Sequence, residues 1–291
     1  MVKISIITIS YNNLEGLRRT VPSVLSQSYK DYEFIVVDGG STDGSKEYLE
    51  ANSSGITRWV SEPDKGIYNA MNKGIAMATG EYCIFMNSGD HFFSALTLEK
   101  AAPELDGTGY CVGRTIMVEE DFASMCMPPK SPTVRFLKDN ALQHQSTFIK
   151  TELLKENPYD ENLKIAADWA HFIESWYVRH HSYKPMDVVV AVFYLDGISA
   201  QQPRQVRAEF NSVLKRLFPD GMPKEKETKE QKLERLTAKV KYKMGRAMRK
   251  KPLSEDSAQF FPLPVEGPAC VIPISAVGAV TAAVGRHDVK A

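Results

Sequence analysis

Close cysteine pairs are missing from this chain. Cys83, Cys111, Cys126 and Cys270 are scattered through 291 residues, so neither a metal-ligand spacing nor a disulfide framework can be read from them, and a reducing compartment suits this usage. Net charge is missing too, with 36 Lys plus Arg against 36 Asp plus Glu. No global field favours nucleic acid, and nucleic-acid binding is not expected. The most apolar stretch, 269–285, contains Pro273, Gly278 and Gly285 and is only marginally long enough to span a bilayer. No basic segment with an apolar run and cleavage site opens the chain, so a cytoplasmic protein is expected rather than an exported one. The first strand-like run leads into Ser10-Tyr11-Asn12-Asn13 instead of a G-x-G-x-x-G turn, which argues against a dinucleotide-dependent dehydrogenase.

What is present is an ordinary core composition, 43% hydrophobic and 25% charged, enough for one large domain with an appendage. Residues 4–9 are apolar and β-branched. Leu14, Leu17, Val21, Val24 and Leu25 then recur at helical spacing within 13–27. Strand patterns at 34–37, 58–60 and 82–86 alternate with helix patterns at 44–51 and 67–78, and Thr79-Gly80 stops the last helix. This β-α alternation argues for a parallel sheet with helices on both faces. After Asp90 the pattern loosens into strands near 110–118, 146–149 and 188–194, a Pro-containing connection at 127–133, and a helix over 168–180.

Composition divides the chain into a domain over 1–200, a helical basic extension over 201–252, and a flexible or loosely packed tail over 253–291. Leu233, Leu236, Val240, Met244 and Met248 recur every three or four residues inside a strongly charged run. Such a helix either folds back on the domain as a solvated element or makes peripheral contact with an anionic membrane surface through 232–251.

Two strand patterns end in polar turns: Val36-Val37-Asp38-Gly39-Gly40-Ser41-Thr42-Asp43-Gly44-Ser45, and Tyr82-Cys83-Ile84-Phe85-Met86 running into Asn87-Ser88-Gly89-Asp90. In an open parallel sheet ligands bind outside the carboxyl ends of strands. Two polar strand ends therefore imply a shared cleft.

These stretches, with Ile4-Ser5-Ile6-Ile7-Thr8-Ile9-Ser10-Tyr11-Asn12 and Ser61-Glu62-Pro63-Asp64-Lys65-Gly66-Ile67-Tyr68-Asn69-Ala70-Met71-Asn72-Lys73-Gly74, resemble the family-2 inverting glycosyltransferases with the GT-A fold. The resemblance covers roughly residues 2–195 and is closest to the colanic-acid and capsule type. It implies an α/β fold, a Rossmann-like mixed sheet flanked by helices, with a C-terminal helical extension. The activity it implies is transfer of a sugar from a nucleoside diphosphate donor to a glycan or lipid-linked acceptor, in capsule, lipopolysaccharide or other cell-surface polysaccharide synthesis.

Residue roles carried over from the resemblance follow the chemistry. Thr8, Tyr11 and Asp38 fall in the nucleotide pocket, where an aromatic ring can lie against a base and a carboxylate can accept from a base N–H. The alternatives are a helix-start aromatic for Tyr11 and a turn-forming acid for Asp38. Lys65 could reach the diphosphate beside a helix N-terminus, or simply face solvent; Asn72 and Lys73 share that ambiguity. Many relatives hold a divalent cation, Mn or Mg, with Asp-x-Asp after the fourth strand. This chain has Asn87-Ser88-Gly89-Asp90, leaving Asp90 as the metal carboxylate with the Asn87 amide beside it. His144, within Gln143-His144-Gln145-Ser146, is a diphosphate or metal contact or else a buried structural group, and His91 is a strand-end residue. Asp168, in Ile165-Ala166-Ala167-Asp168-Trp169, is the candidate general base, with a helix cap as its alternative. Trp169 and Trp176 are sugar-stacking candidates or core. A non-catalytic nucleotide-sugar-binding protein and a sugar-phosphate nucleotidyltransferase are the competing functions, the latter weakened by the lack of an N-terminal Gly-rich basic loop.

Overall fold

The computed structural model describes residues 2–118, 122–194, 201–223, 232 and 271–273. Of the basic stretch 232–251 only Lys232 is included, and of 253–291 only Val271–Pro273; the expectations for both regions otherwise lie outside the described residues.

The first half follows the alternation read from the sequence. Strands β1 (Ile4–Ser10), β2 (Tyr32–Asp38), β3 (Arg58–Ser61) and β4 (Tyr82–Phe85) are separated by helices α1 (Leu14–Leu25), α2 (Ser45–Ala51) and α3 (Ile67–Met77). They pair in parallel in the order β3-β2-β1-β4. Both faces of these strands are covered, so their side chains sort by alternate residues. Ile6, Phe34, Val36 and Ile84 pack with Leu17, Val21 and Val24 of α1, while Ile7, Ile35, Cys83 and Phe85 pack with Met71 and Ile75 of α3. Cys83 is a buried core thiol, which burial pushes up to about 11.

Beyond β4 the sheet changes direction. The elements are β5 (His91–Phe92), α4 (Thr97–Ala101), β6 (Tyr110–Val118), β7 (Phe122–Cys126), α5 (Val134–Asp139), β8 (Thr147–Lys150), α6 (Thr151–Glu156), α7 (Ala167–Tyr177), β9 (Tyr183–Tyr194), α8 (Pro203–Leu217) and β10 (Val271–Pro273). β8 joins β4 antiparallel and β6 joins β8 antiparallel. β6 also pairs in parallel with β9, and β7 and β10 extend the edge. The result is one mixed sheet flanked by helices, as the resemblance implies. Because β8 runs against β4, the residues that precede β8 meet those that follow β4. That reversal sets Gln143-His144 beside Asn87.

The polar connection at 127–133 is irregular, as expected, but β9 begins five residues earlier than its apolar pattern suggested. β5, α4, β7, α5 and α6 carry too few residues to show a period. α8 lies within the region set apart by its composition, yet Phe210, Val213 and Leu214 are buried in the same core as α3 and α7. Among the described residues no helix is long and apolar enough to cross a membrane.

Candidate active site

The parallel strands deliver three groups to one corner. Ser10 and Asp38 end side by side in register, and Gly39 N donates to Ser10 O at 2.8 Å. A Cβ on Gly39 would lie 2.5 Å from Asp64 Oδ2 and 3.2 Å from the Tyr11 ring, so Tyr11, Gly39 and Asp64 converge. Tyr11 is 66% exposed, so it is not packed onto the sheet. An aromatic face, a bare backbone and a carboxylate together suit a planar ligand.

Thr8 and Asp38 lie beneath that corner. The Thr8 hydroxyl is buried and donates to Met86 O at 2.6 Å. Asp38 is fully buried; it accepts the Ser41 hydroxyl at 2.5 Å and amide at 3.0 Å, and the Ser61 hydroxyl at 2.6 Å. In this structure the polar atoms of Thr8 and Asp38 tie strand ends together beneath the pocket expected for the nucleotide. Asp38 shapes the turn on which a ligand would rest. Asp43 has a related task, accepting from Leu14 N and Ser45 N at the starts of α1 and α2.

The turn Asn87–Asp90 is pinned from α1. The Thr20 hydroxyl donates to Asp90 O at 2.6 Å and accepts from Gly89 N at 3.0 Å. Asn87 Nδ2 lies 3.0 Å from His144 Nε2, while Asn87 Oδ1 is buried with no hydrogen-bond partner among the described residues. Asp90 is largely buried, and its charge acts on His144. Among the described residues no group of three or more His, Cys, Asp or Glu side chains could hold a metal ion. One carboxylate and one orphaned amide oxygen still fit a hard cation whose remaining ligands come from a bound diphosphate and water.

On the far side of His144 from the β4 turn, Asp168 is the second residue of α7. The cap position is Ala166, so the capping alternative falls away. Its carboxylate turns instead to two partners: Oδ1 accepts from the Tyr68 hydroxyl at 2.9 Å, and Oδ2 lies 3.3 Å from His144 Nδ1. Burial works to raise the Asp168 pKa, but the hydrogen bond and charge of His144, the Tyr68 hydroxyl and the Trp169 amide outweigh it, and the carboxyl sits below its ordinary value. For His144 burial works downward, yet bonding to Asp168 and the charges of Asp168 and Asp90 hold it above its ordinary value. Asn87, His144, Asp168 and Tyr68 thus form one hydrogen-bonded chain from the β4 turn to α3.

Tyr68 is the functional residue that sequence reasoning passed over. It lay inside the motif before α3, and its position in the first turn of that helix was the available signal. Burial first, and then the Asp168 charge, push its phenol well above the ordinary value, so it acts as a donor to the carboxylate. Lys65 lies with Asn69, Glu161, Lys164, Gln202 and Gln205 around a cleft of about 310 Å³ that Tyr68 also lines. Asn72 binds Tyr159 and Glu161, and Lys73 binds Pro63 O and Glu62; both are structural. His91 bonds Phe92 O and Tyr194. Trp169 is buried, bonded to Leu137 O and stacked on Phe210, as a core residue; Trp176 is half-buried and donates to Pro132 O.

The family model of glycosyl transferase family 2 matches residues 5–152. An uncharacterized glycosyltransferase of Mycobacterium tuberculosis is 33% identical over 231 residues, covering 75% of this chain and 86% of the relative. A PGL/p-HBAD biosynthesis glycosyltransferase of Mycobacterium bovis is 28% identical over 196 residues, covering 65% and 75%. Among solved structures, the mannosyltransferase PcManGT from Pyrobaculum calidifontis in complex with GDP-Man and Mn2+ aligns with a TM-score of 0.58 at 18% identity, over 97% of this chain and 79% of that one. Residues 1–349 of S. aureus TarS in complex with UDP-GlcNAc align with a TM-score of 0.55 at 18% identity, over 74% and 73%. At such identities the structural likeness speaks for the GT-A fold alone. By its matched sequence over more than half its length, this chain belongs to glycosyl transferase family 2.

Proposed function

We propose that the protein is an inverting glycosyltransferase that moves a sugar from a nucleoside diphosphate donor to a hydroxyl of a glycan or lipid-linked acceptor in cell-surface polysaccharide synthesis, of the colanic-acid or capsule type. The observation that carries this reading is Asp168: an ionised carboxylate, 18% exposed at its side chain, held by His144 and by Tyr68, which itself lines the cleft. Inversion needs one displacement at the anomeric carbon, with a base on the acceptor oxygen and stabilisation of the departing diphosphate.

In this reading the donor's base lies over Gly39 between Tyr11 and Asp64. Asp90 and Asn87 Oδ1 would hold a Mn or Mg ion, which supplies Lewis-acid stabilisation of the diphosphate when bound. In either protonation state His144 Nδ1 donates to Asp168, with Asn87 beside Nε2. Tyr68 donates to the other carboxylate oxygen, so the base is oriented by two hydrogen bonds before an acceptor arrives. Asp168 then takes the proton of the attacking hydroxyl. Lys65 faces the cleft on the acceptor side of Tyr68, where it can meet an anionic acceptor as readily as the diphosphate. Peripheral membrane contact through 232–251 accompanies this proposal, since a lipid-linked acceptor lies at a bilayer surface; anionic vesicles that fail to retain the full chain at low salt would remove it.

The thinned metal turn favours a second reading, a nucleotide-sugar-binding protein without turnover. A thermal-shift panel of uridine, guanosine and deoxythymidine diphosphates, each with and without manganese, identifies the base because a ligand of the native state raises apparent stability. Release of nucleoside diphosphate from the matching sugar donor, abolished in Asp168→Asn, supports the transferase. Binding without any release supports the binder.

A further inference from the structure

Helix α7 starts without a side-chain cap of its own. The three amides leading into it, those of Lys164, Ile165 and Ala166, all donate to one carboxylate from far along the chain. Lys164 N reaches Glu209 Oε1 at 2.9 Å, and Ile165 N and Ala166 N reach Oε2 at 3.0 Å each. Donors at a helix start need acceptors, and an anion there is favoured by the helix dipole. Burial works to raise the Glu209 pKa, but these amides and the Gln205 side chain hold it below its ordinary value. The turn is therefore fixed by a carboxylate that stays ionised. Asp168 follows two residues later.

α8 grips the same region elsewhere. Phe210 stacks on Trp169 with ring centroids 3.8 Å apart and planes 6° from parallel. Arg216 binds Asp160 at 3.0 Å. Gln205 donates to Glu209 Oε1 at 3.1 Å and also lines the cleft shared with Tyr68. One side chain thus connects the cleft to the strut beneath the base.

We propose that Glu209 is a positioning residue for Asp168, which makes α8 a working wall of the acceptor site instead of an appendage. The inference rests on the reading of Asp168 as the base. Glu209 acts by holding the 164–166 backbone, so that the Asp168 carboxylate meets Tyr68, His144 and the acceptor oxygen together. A glutamine in its place would turn an NH2 group toward one set of amides and release part of the turn. A displacement of about 1 Å at a base costs up to roughly a hundred-fold in rate.

The test uses the full chain and the nucleotide sugar whose diphosphate gives the largest thermal shift, with water as the acceptor and nucleoside diphosphate release as the readout. Asp168→Asn, Glu209→Gln and the double variant are compared. Glu209→Gln is expected to lower kcat roughly ten- to a hundred-fold with the donor KM within about two-fold. The double variant should be no slower than Asp168→Asn alone, whereas independent structural damage would multiply the two losses. Wild-type kcat in Glu209→Gln, or multiplied losses in the double variant, overturns the proposal while leaving the base intact. Wild-type release by Asp168→Asn overturns the reading of the base instead. Should Glu209→Gln not fold, hydrogen exchange in the unaltered protein decides: protected amides at Lys164, Ile165 and Ala166 support the strut, and unprotected ones overturn it.

Discussion

Glu33 and Asp168 are both carboxylates drawn out of water, one on strand β2 and the other in the first turn of helix α7. Glu33, near the start of β2, is 2% exposed at its side chain. It accepts from the Ser5 hydroxyl at 2.6 Å, from the Thr79 hydroxyl and amide, and from Gly80 N at 3.0 Å, with Lys3 and Arg58 each 3.5 Å away. Burial works to raise its pKa, but the Ser5 and Thr79 hydrogen bonds and the Lys3 charge bring it down to about 2. Asp168 has two side-chain donors and keeps an open side. A saturated carboxylate locks strands together and has no lone pair left for chemistry; one left partly satisfied can take a proton. The two serve opposite ends: Glu33 is almost fully enclosed by its donors, whereas Asp168 has fewer donors and keeps part of its surface open.

The largest expected effect breaks the comparison on the Asp168 side. Asp168→Asn should lower turnover by roughly two to four orders of magnitude while calorimetry finds donor affinity unchanged. Near-normal turnover would make Asp168 as structural as Glu33. The pH profile sharpens the point. Asp168 is depressed and His144 raised, so their pair contributes stability where the carboxylate is ionised and the imidazole protonated. That contribution fades as pH falls through the depressed carboxylate value and as it rises through the raised imidazole value. Activity should persist to pH values below the usual carboxylate range before its acid limb sets in.

Glu33→Gln is expected to leave kcat unchanged below the unfolding transition and to lower stability by about 3 kcal/mol at pH 7, the value that follows from a carboxylate moved from its ordinary range to about 2. The wild-type contribution should be complete above about pH 4.5 and disappear between there and about pH 2. Urea unfolding at both ends of that window measures it. A smaller effect comes from Asp90→Asn, which should weaken manganese binding in the presence of nucleoside diphosphate by about ten-fold, or ~1.4 kcal/mol; full activity in excess chelator would show that no cation is needed. Least of all, Tyr11→Ala should cost donor affinity about 1 kcal/mol with no change in Tm, because its ring is mostly in water.

The two halves of the chain were not equally legible in the sequence. β1, β2, α1 and α3 are long enough to show a period, and the elements of the first half are joined by short connections, so Ile4–Ser10 and Ile67–Met77 emerged within a residue or two of the strand and helix patterns. β5, α4 and α6 hold two to six residues each, too few for any period. α8 falls in the stretch expected to be helical, but its place in the core was hidden because Phe210, Val213 and Leu214 are spread among charged residues. Asp168 was found through its motif. Its partner Tyr68 is 100 residues away in sequence, and no local pattern reports such a meeting. Asp38 drew attention as a polar strand end, a signal that does not report its bonds to Ser41 and Ser61.

The placement of β8 against β4 also bears on how the chain is made. Tyr82–Phe85 is wholly buried, and one of its edges has no neighbour until Thr147–Lys150 has been synthesised. At typical ribosomal rates the 61 residues between these strands, 86 to 146, take roughly 3–12 s to add. For that time an apolar strand with unpaired amides waits for its cover, a state in which chains can pair with one another. Versions cut before residue 147 would make that interval permanent and should aggregate, whereas a nascent chain needs only protection for seconds, from the ribosome surface or a chaperone, until its own later strand closes the sheet.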